Sequence, residues 1–250
     1  VYDYIRELDY SFMLSDKYET NVTDTVNYQH ISHINLKSEF KRNLFIGGGA
    51  DSTKFTQAGG SVLAAASFND ENVFIPHSRT GKVMDSVLRE YPTLYHAAAW
   101  LGRAAGQGAQ VPMTWKDLDF DWVKHIMSQT ERETAIQAGV AHLRDVAGLG
   151  LVINLDSNTK QKNKQDIYSD GTSPFGSIVR IKNVLNRFIA MNCRLRFVGK
   201  NAANASPASV KSYIEELLQA STAQKGGDDN LILEFKNVKA NLVGSDYKST

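Results

Sequence analysis

The 250-residue chain has little of what marks a cross-linked, membrane-spanning or disordered protein. One cysteine, Cys193, excludes an internal disulfide framework and a cysteine-rich zinc site, and it fits folding in a reducing compartment. No apolar run reaches the roughly 18 residues a spanning helix needs, since the longest candidate, 97–105, is interrupted by Arg103; no membrane insertion is expected. Charge of one sign is not in excess, with 28 basic against 27 acidic residues and a net charge of +1. That balance argues against a surface built throughout for nucleic acid or anionic lipid, so any electrostatic function must be local. The chain starts at Val1, with neither an initiator methionine nor a signal peptide, as an excerpt or processed product would. Repeats of solenoid period and low-complexity tracts are also lacking. With 42% hydrophobic and 22% charged residues, the composition suits one large or two modest domains with real cores.

The common catalytic motifs fail on inspection. Around Gly81-Lys82 a phosphate-binding loop would need glycine at Pro76 and Ser or Thr at Val83. The glycine triplet Gly47, Gly48 and Gly49 follows an apolar run, but Ser52 stands where a dinucleotide fold needs its third glycine. A tight turn after a strand explains it better than a ligand-binding turn. "GTSPFG" has one residue too many for a nucleophile elbow, and Cys193 sits in an amphipathic helical pattern that suits a small packing residue. His30 and His33 are close but lack the glutamate of a zinc helix. "DLDFD" puts Asp117, Asp119 and Asp121 on one side of an extended segment. An EF-hand loop counted from Asp117 would need glycine at Trp122 and an acid at Ser128, so an acidic edge facing solvent or an interface is the better reading. No catalytic residue, metal ligand or cofactor is expected.

Periodicity yields an α/β to α+β chain, a layered sheet-and-helix core followed by a smaller α+β unit with two helices and a short sheet. "YSFMLSDKY" and "HISHINL" look β-rich, with helix also open; "RNLFI" and "ENVFIP" read as strands and "SVLAAASF" as a helix between them. Residues 81–108 have apolar positions near helical spacing, predicting a long helical stretch, read as a buried helix pair, with Pro92 as its break or kink. "TERETAIQAG" predicts a short helix with Thr130 as N-cap and Gly139 as its stop, then two strands around Gly148 and Gly150. The polar stretch 157–174 predicts an exposed loop, giving domains 1–160 and 161–250. A helix over about 176–195 would gather Ile178, Ile181, Leu185, Phe188, Ile189 and Leu195 near one face, opposite its arginines. Ser206-Pro207 starts another helix closed by Gly226-Gly227, and "NLILEFKNVKANLVG" reads as a bulged strand or hairpin.

The strongest anomaly is electrostatic. Residues 171–214 contain Arg180, Lys182, Arg187, Arg194, Arg196, Lys200 and Lys211 and neither Asp nor Glu. Arg180, Arg187 and Arg194 recur every seven residues, a stripe of about 21 Å on a helix. A solvated basic face and an interface with an acidic partner both account for it. Nucleic acid does not fit, for want of interleaved aromatics or a binding module.

The order "SPFGSIVRIKNVLNRFIAMNCRLRFVGK", a short polar loop, "SPASVKSYIEELLQ" and "NLILEFKNVKANL" resembles the C-terminal domain of contractile bacteriophage tail sheath proteins. Upstream, "YPTLYHAAAWLGRAAGQGAQVPMTWKDLDF" and "TERETAIQAGVAHLRDVAGLGLVI" are similar to the same family, so the resemblance covers about residues 40–245. It implies a structural, non-enzymatic subunit whose copies stack as six-membered rings into a helical sleeve around a tail tube, in a virion tail assembled in the host cytoplasm. The implied partners are further copies of the chain, the tail tube protein, and baseplate and tail terminator proteins. In the family, N- and C-terminal arms add strands to neighbouring subunits; here the resemblance implies a core fragment without them. On this footing Arg180, Arg187, Arg194, Arg196 and Lys200 are candidates to meet an acidic tube surface, or a neighbouring copy's Asp117, Asp119 and Asp121.

Overall fold

The computed structural model describes residues 12–15, 30–34, 41–47, 56, 60–160, 173–199, 206–222, 235–243 and 246–249. The chain separates into two compact units, Val1–Arg180 and Ile181–Thr250. In the first unit the elements run β1 (Phe12–Ser15), β2 (Asn43–Ile46), α1 (Ser61–Phe68), β3 (Val73–Pro76), β4 (Thr80–Met84), β5 (Val87–Tyr91) and α2 (Thr93–Ala105). They continue with β6 (Trp122–Val123), α3 (Gln129–Ala138), β7 (Val140–Ala141), β8 (Leu143–Val146), β9 (Gly150–Ile153) and the start of α4 (Gly176–Phe197). The second unit holds the rest of α4, then α5 (Pro207–Ala220), β10 (Ala240–Val243) and β11 (Asp246–Ser249).

Four strands form a parallel sheet in the order β1-β2-β3-β7. Because side chains alternate across a strand, Leu44, Ile46, Val73, Ile75 and Val140 fall on one face, and Phe45, Phe74 and Ala141 on the other. Helices cover both faces, which is why the central strands read as unbroken apolar runs. Ala64, Ala65 and Phe68 of α1 and Ala135 and Ala138 of α3 pack on the first face; Ala97, Trp100 and Ala104 of α2 pack on the second. The second face is aromatic at its centre. Phe45 stacks on Phe74 with centroids 4.8 Å apart, and Trp100 meets both rings edge-on at 5.2 and 5.5 Å. Gly47 ends β2 where α2 arrives: a Cβ there would stand 2.5 Å from the Leu94 Cα, so the close approach requires glycine. Gly48 and Gly49 lie outside the described residues.

The mixed α/β architecture matches expectation, including the α1 helix between two strands, the β8–β9 hairpin, and the Ser206 cap with Pro207 at the first turn of α5. The expected helical stretch over 81–108 holds only in its second half. Residues 80–91 are the antiparallel β4–β5 hairpin, turned at Asp85 and Ser86, both at positive φ (52° and 62°). Val83, Val87 and Leu88 stand at helical intervals. The strand wins because β4 also pairs with β6 on its other side, and the Asp121 carboxylate accepts the Val83 N–H at 2.8 Å. Pro92 is the N-cap of α2, so of the two expected roles it takes the break and not the kink.

α3 is capped by Ser128 instead of Thr130, in a reciprocal arrangement: Ser128 Oγ accepts the Glu131 N–H while the Glu131 carboxylate accepts the Ser128 N–H. Its expected stop is in place, Gly139 lying at φ +80°. Residues 30–34 form a helical turn. Of the expected exposed loop, 161–172 lies outside the described residues, and both flanks are buried. Asn158 Nδ2 donates to the Ser173 carbonyl at 2.6 Å, and the Ser173 N–H donates to Glu71 at 3.0 Å. These groups are polar and buried because each has a partner. α5 ends at Ala220; Gly226, Gly227 and the expected alternation at 231–234 lie outside the described residues.

Candidate functional site: the basic helix and the acidic edge

α4 runs through 22 residues without a carboxylate. Arg194 and Arg196 stand in its last turn, where a positive charge complements the exposed carbonyls of the helix end. The seven-residue spacing does not give its arginines one environment. Arg180 is only 2% exposed, and its guanidinium is forked onto Asp156, Nη2 donating to Oδ2 at 2.7 Å and Nη1 to Oδ1 at 3.3 Å. Nη2 also donates to the Val111 carbonyl at 3.0 Å, and the Met113 N–H donates to the same Asp156 carboxylate at 3.0 Å. Gly176 begins the helix directly above this pair. Any Cβ there would fall 2.4 Å from Asp156 Oδ1 and 2.8 Å from the Phe74 ring. Arg180 is therefore a buried structural ion-pair partner and leaves the exposed stripe, a correction to the expectation that it faces an outside surface.

The rest of the stripe sits differently. Arg187 is half-buried, and Arg194 and Arg196 are exposed. Arg196 is engaged inside the second unit, its guanidinium 4.1 Å from the centre of the Tyr213 ring and 3.7 Å from Glu216. Lys200 lies outside the described residues. Between the arginines runs a feature that the charge reading missed. Val184, Phe188, Met191, Leu195 and Val198 are all exposed, Leu195 at 81% and Val198 at 73%. They follow spacings of four, three, four and three, an apolar seam flanked by Arg187 and Arg194. Phe188 and Leu195, grouped by periodicity with Ile178, Ile181, Leu185 and Ile189 on one apolar face, belong to this outward seam. Its sequence signal was present in that 4-3-4-3 recurrence, which overlaps the inward set of Val179 and its neighbours. Cys193 is half-buried, and burial raises its thiol pKa, as expected of a packing residue.

The acidic edge alternates in exposure, with Asp117, Asp119 and Asp121 exposed, Leu118 buried and Phe120 half-buried, but it is bent and not extended, Asp119 standing at φ +62°. Its carboxylates are already employed locally. Asp119 pairs with Lys82 of β4, a bond that raises the lysine pKa; Asp121 holds the Val83 N–H; Asp117 accepts the Asp119 N–H at 2.7 Å. The edge thus fastens the β4–β5 hairpin while keeping its outer oxygens toward solvent. Among the described residues no group of three His, Cys, Asp or Glu side chains could hold a metal ion, and no helix is long and apolar enough to cross a membrane.

Solved structures share this fold. Over 96% of its length the chain superposes on a sheath tail protein from Desulfitobacterium hafniense, with a TM-score of 0.65 and 13% identity, and spans 51% of that protein. A sheath tail protein from Listeria innocua gives 0.62 and 14%, with 96% of this chain and 52% of that one. The contracted PVC sheath complex of an extracellular contractile injection system gives 0.61 and 12%, with 98% and 68%. The chain therefore spans about half the length of the two sheath tail proteins it matches. No family model and no curated protein matches the sequence.

Proposed function

We propose that this chain is a structural subunit of a contractile tail sheath, with no enzymatic role. Its copies stack as six-membered rings into a helical sleeve around a tail tube, and contraction of the sleeve drives the tube through a host envelope. The carrying observation is that nearly the whole chain adopts the fold of sheath proteins from two bacteria and from an injection system. Baseplate and tail terminator proteins would meet the sleeve at its ends. The outer part of α4, with Arg187 and Arg194 beside the seam from Val184 to Val198, is the candidate surface for the tube or a neighbouring copy. The acidic edge at Asp117, Asp119 and Asp121 is a candidate acceptor on that neighbour. Single exposed charge pairs are worth about 1 kcal/mol or less, so repetition around each ring would supply the strength. A bacteriophage tail is the first reading of the setting; the likeness to an extracellular injection system favours that machine as the second.

Negative-stain electron microscopy tests the proposal, on the chain alone and co-expressed with a candidate tail tube protein. Stacked rings or a sleeve around the tube are expected in the second sample. A folded chain that stays monodisperse and does not co-purify with the tube would overturn it.

A further inference from the structure

Four histidines gather at the end of the parallel sheet, and two of them lie in a continuous hydrogen-bonded chain. His77 follows β3; its Nδ1 meets Ser61 Oγ of α1 at 2.9 Å and its Nε2 meets His125 Nδ1 at 3.1 Å. His125 follows β6; its Nε2 lies 3.3 Å from Glu131 Oε1 in the first turn of α3. Around the chain stand His96 of α2, 1% exposed, and His142 just after β7, 3% exposed. Nδ1 of His96 lacks a hydrogen-bond partner among the described residues, and the His142 ring lies against the Val140 backbone.

The proton arrangement follows from the far end. Glu131 is held as a carboxylate by the Ser128 N–H and O–H, which lower its pKa. It therefore accepts from His125 Nε2–H. A neutral His125 then offers a lone pair at Nδ1, so His77 must donate from Nε2–H, and its own Nδ1 must accept from the Ser61 hydroxyl. With both imidazoles neutral and Glu131 ionised, this is the one assignment that satisfies all three contacts. Ser61 is fully buried, so the chain is not an activated nucleophile open to substrate.

We propose that Ser61, His77, His125 and Glu131 form a proton-operated latch that fastens α3 and residues 124–128 to the end of the sheet at neutral pH and releases them on acidification. His125 is the more exposed of the two hydrogen-bonded imidazoles. One added proton can be absorbed: His125 then donates from Nδ1, His77 shifts its hydrogen to Nδ1, and the Ser61 oxygen becomes the acceptor. A second proton cannot. It would set two N–H groups head-on across the His77–His125 contact and part α3 from β3.

The surroundings oppose that second charge. Burial first, then His125, His96 and His142, hold the His77 pKa down to about 3, with Glu131 acting in the opposite sense. Burial likewise holds His96 and His142 near 4, with Arg132 and Arg144 adding repulsion at His142. A histidine with a depressed native pKa binds fewer protons folded than unfolded. Closure through His77 is therefore complete above the unfolded value of 6.5 and is lost as pH falls from there toward about 3.

The test pairs nitrogen-15 NMR of the imidazoles with hydrogen exchange on the full 250-residue chain. At pH 7.5, His77 and His125 should both be neutral Nε2–H tautomers. Between pH 7.5 and 5.0, after correction for intrinsic rates, amides of 124–138 should lose protection at least tenfold, while those of β8 and β9 change less than twofold. Glu131→Gln keeps the capping geometry and removes the charge, and it should move the release upward by about half a pH unit. His77 as the Nδ1–H tautomer at pH 7.5, unchanged protection at 124–138, or equal loss in β8 and β9 would each overturn the latch.

Discussion

Arg180 and Arg194 stand on one helix, in one phase of one repeat, and share almost nothing else. Arg180 is sealed in the first unit with Asp156, while Arg194 lies exposed in the second. The difference teaches that repeat spacing sets direction around a helix axis but not what stands there. Near the start of α4 that direction points into a packed unit; two heptads later it points to water. A buried arginine needs an exact counter-charge, and removing either partner leaves the other uncompensated. An exposed one is screened and replaceable.

The comparison breaks most sharply at Arg180. Arg180→Ala should cost about 3–5 kcal/mol, because Asp156 would remain as an unpaired buried carboxylate. Urea unfolding should show it, and Arg180→Met combined with Asp156→Leu should recover much of the loss. An intermediate effect is expected at the α3 cap, where Ser128→Ala should cost about 1 kcal/mol and Ser128→Asp much less, read from thermal midpoints. The smallest stability effect belongs to the outer arginines. Arg187→Glu with Arg194→Glu should change unfolding by only about 0.5 kcal/mol. The same pair should weaken co-assembly with the tube in a salt-dependent way; unchanged assembly at low salt would remove these arginines from the interface.

Local chemistry was legible wherever one residue decides the backbone. Gly139 as a left-handed stop and Ser206-Pro207 as a helix start are cases where the deciding atoms lie within a turn of each other. The β4–β5 hairpin was not legible, since its turn uses Asp85 and Ser86 without glycine, and the strand partner β6 comes some forty residues later in the chain. The fate of Arg180 was hidden for the same reason: Asp156 borders a stretch, 157–174, whose polarity suggested solvent, and only the fold shows that the polar groups at its flanks satisfy one another. In the candidate site, the charges were visible and the apolar seam was not, because two interleaved stripes on one helix give a single blurred period. The histidine chain joins residues 61, 77, 125 and 131 and has no motif spacing at all.

The edge-on contact of Trp100 with Phe45 and Phe74 has an optical consequence. All three tryptophans, at 100, 115 and 122, belong to the first unit, and Trp100 is fully buried whereas Trp115 is half in water. Tryptophan emission will therefore follow the sheet and be blind to α5 and the β10–β11 hairpin, while far-ultraviolet dichroism sums both units. Any gap between the two melting curves is a direct reading of how far the units unfold separately, obtainable without a label.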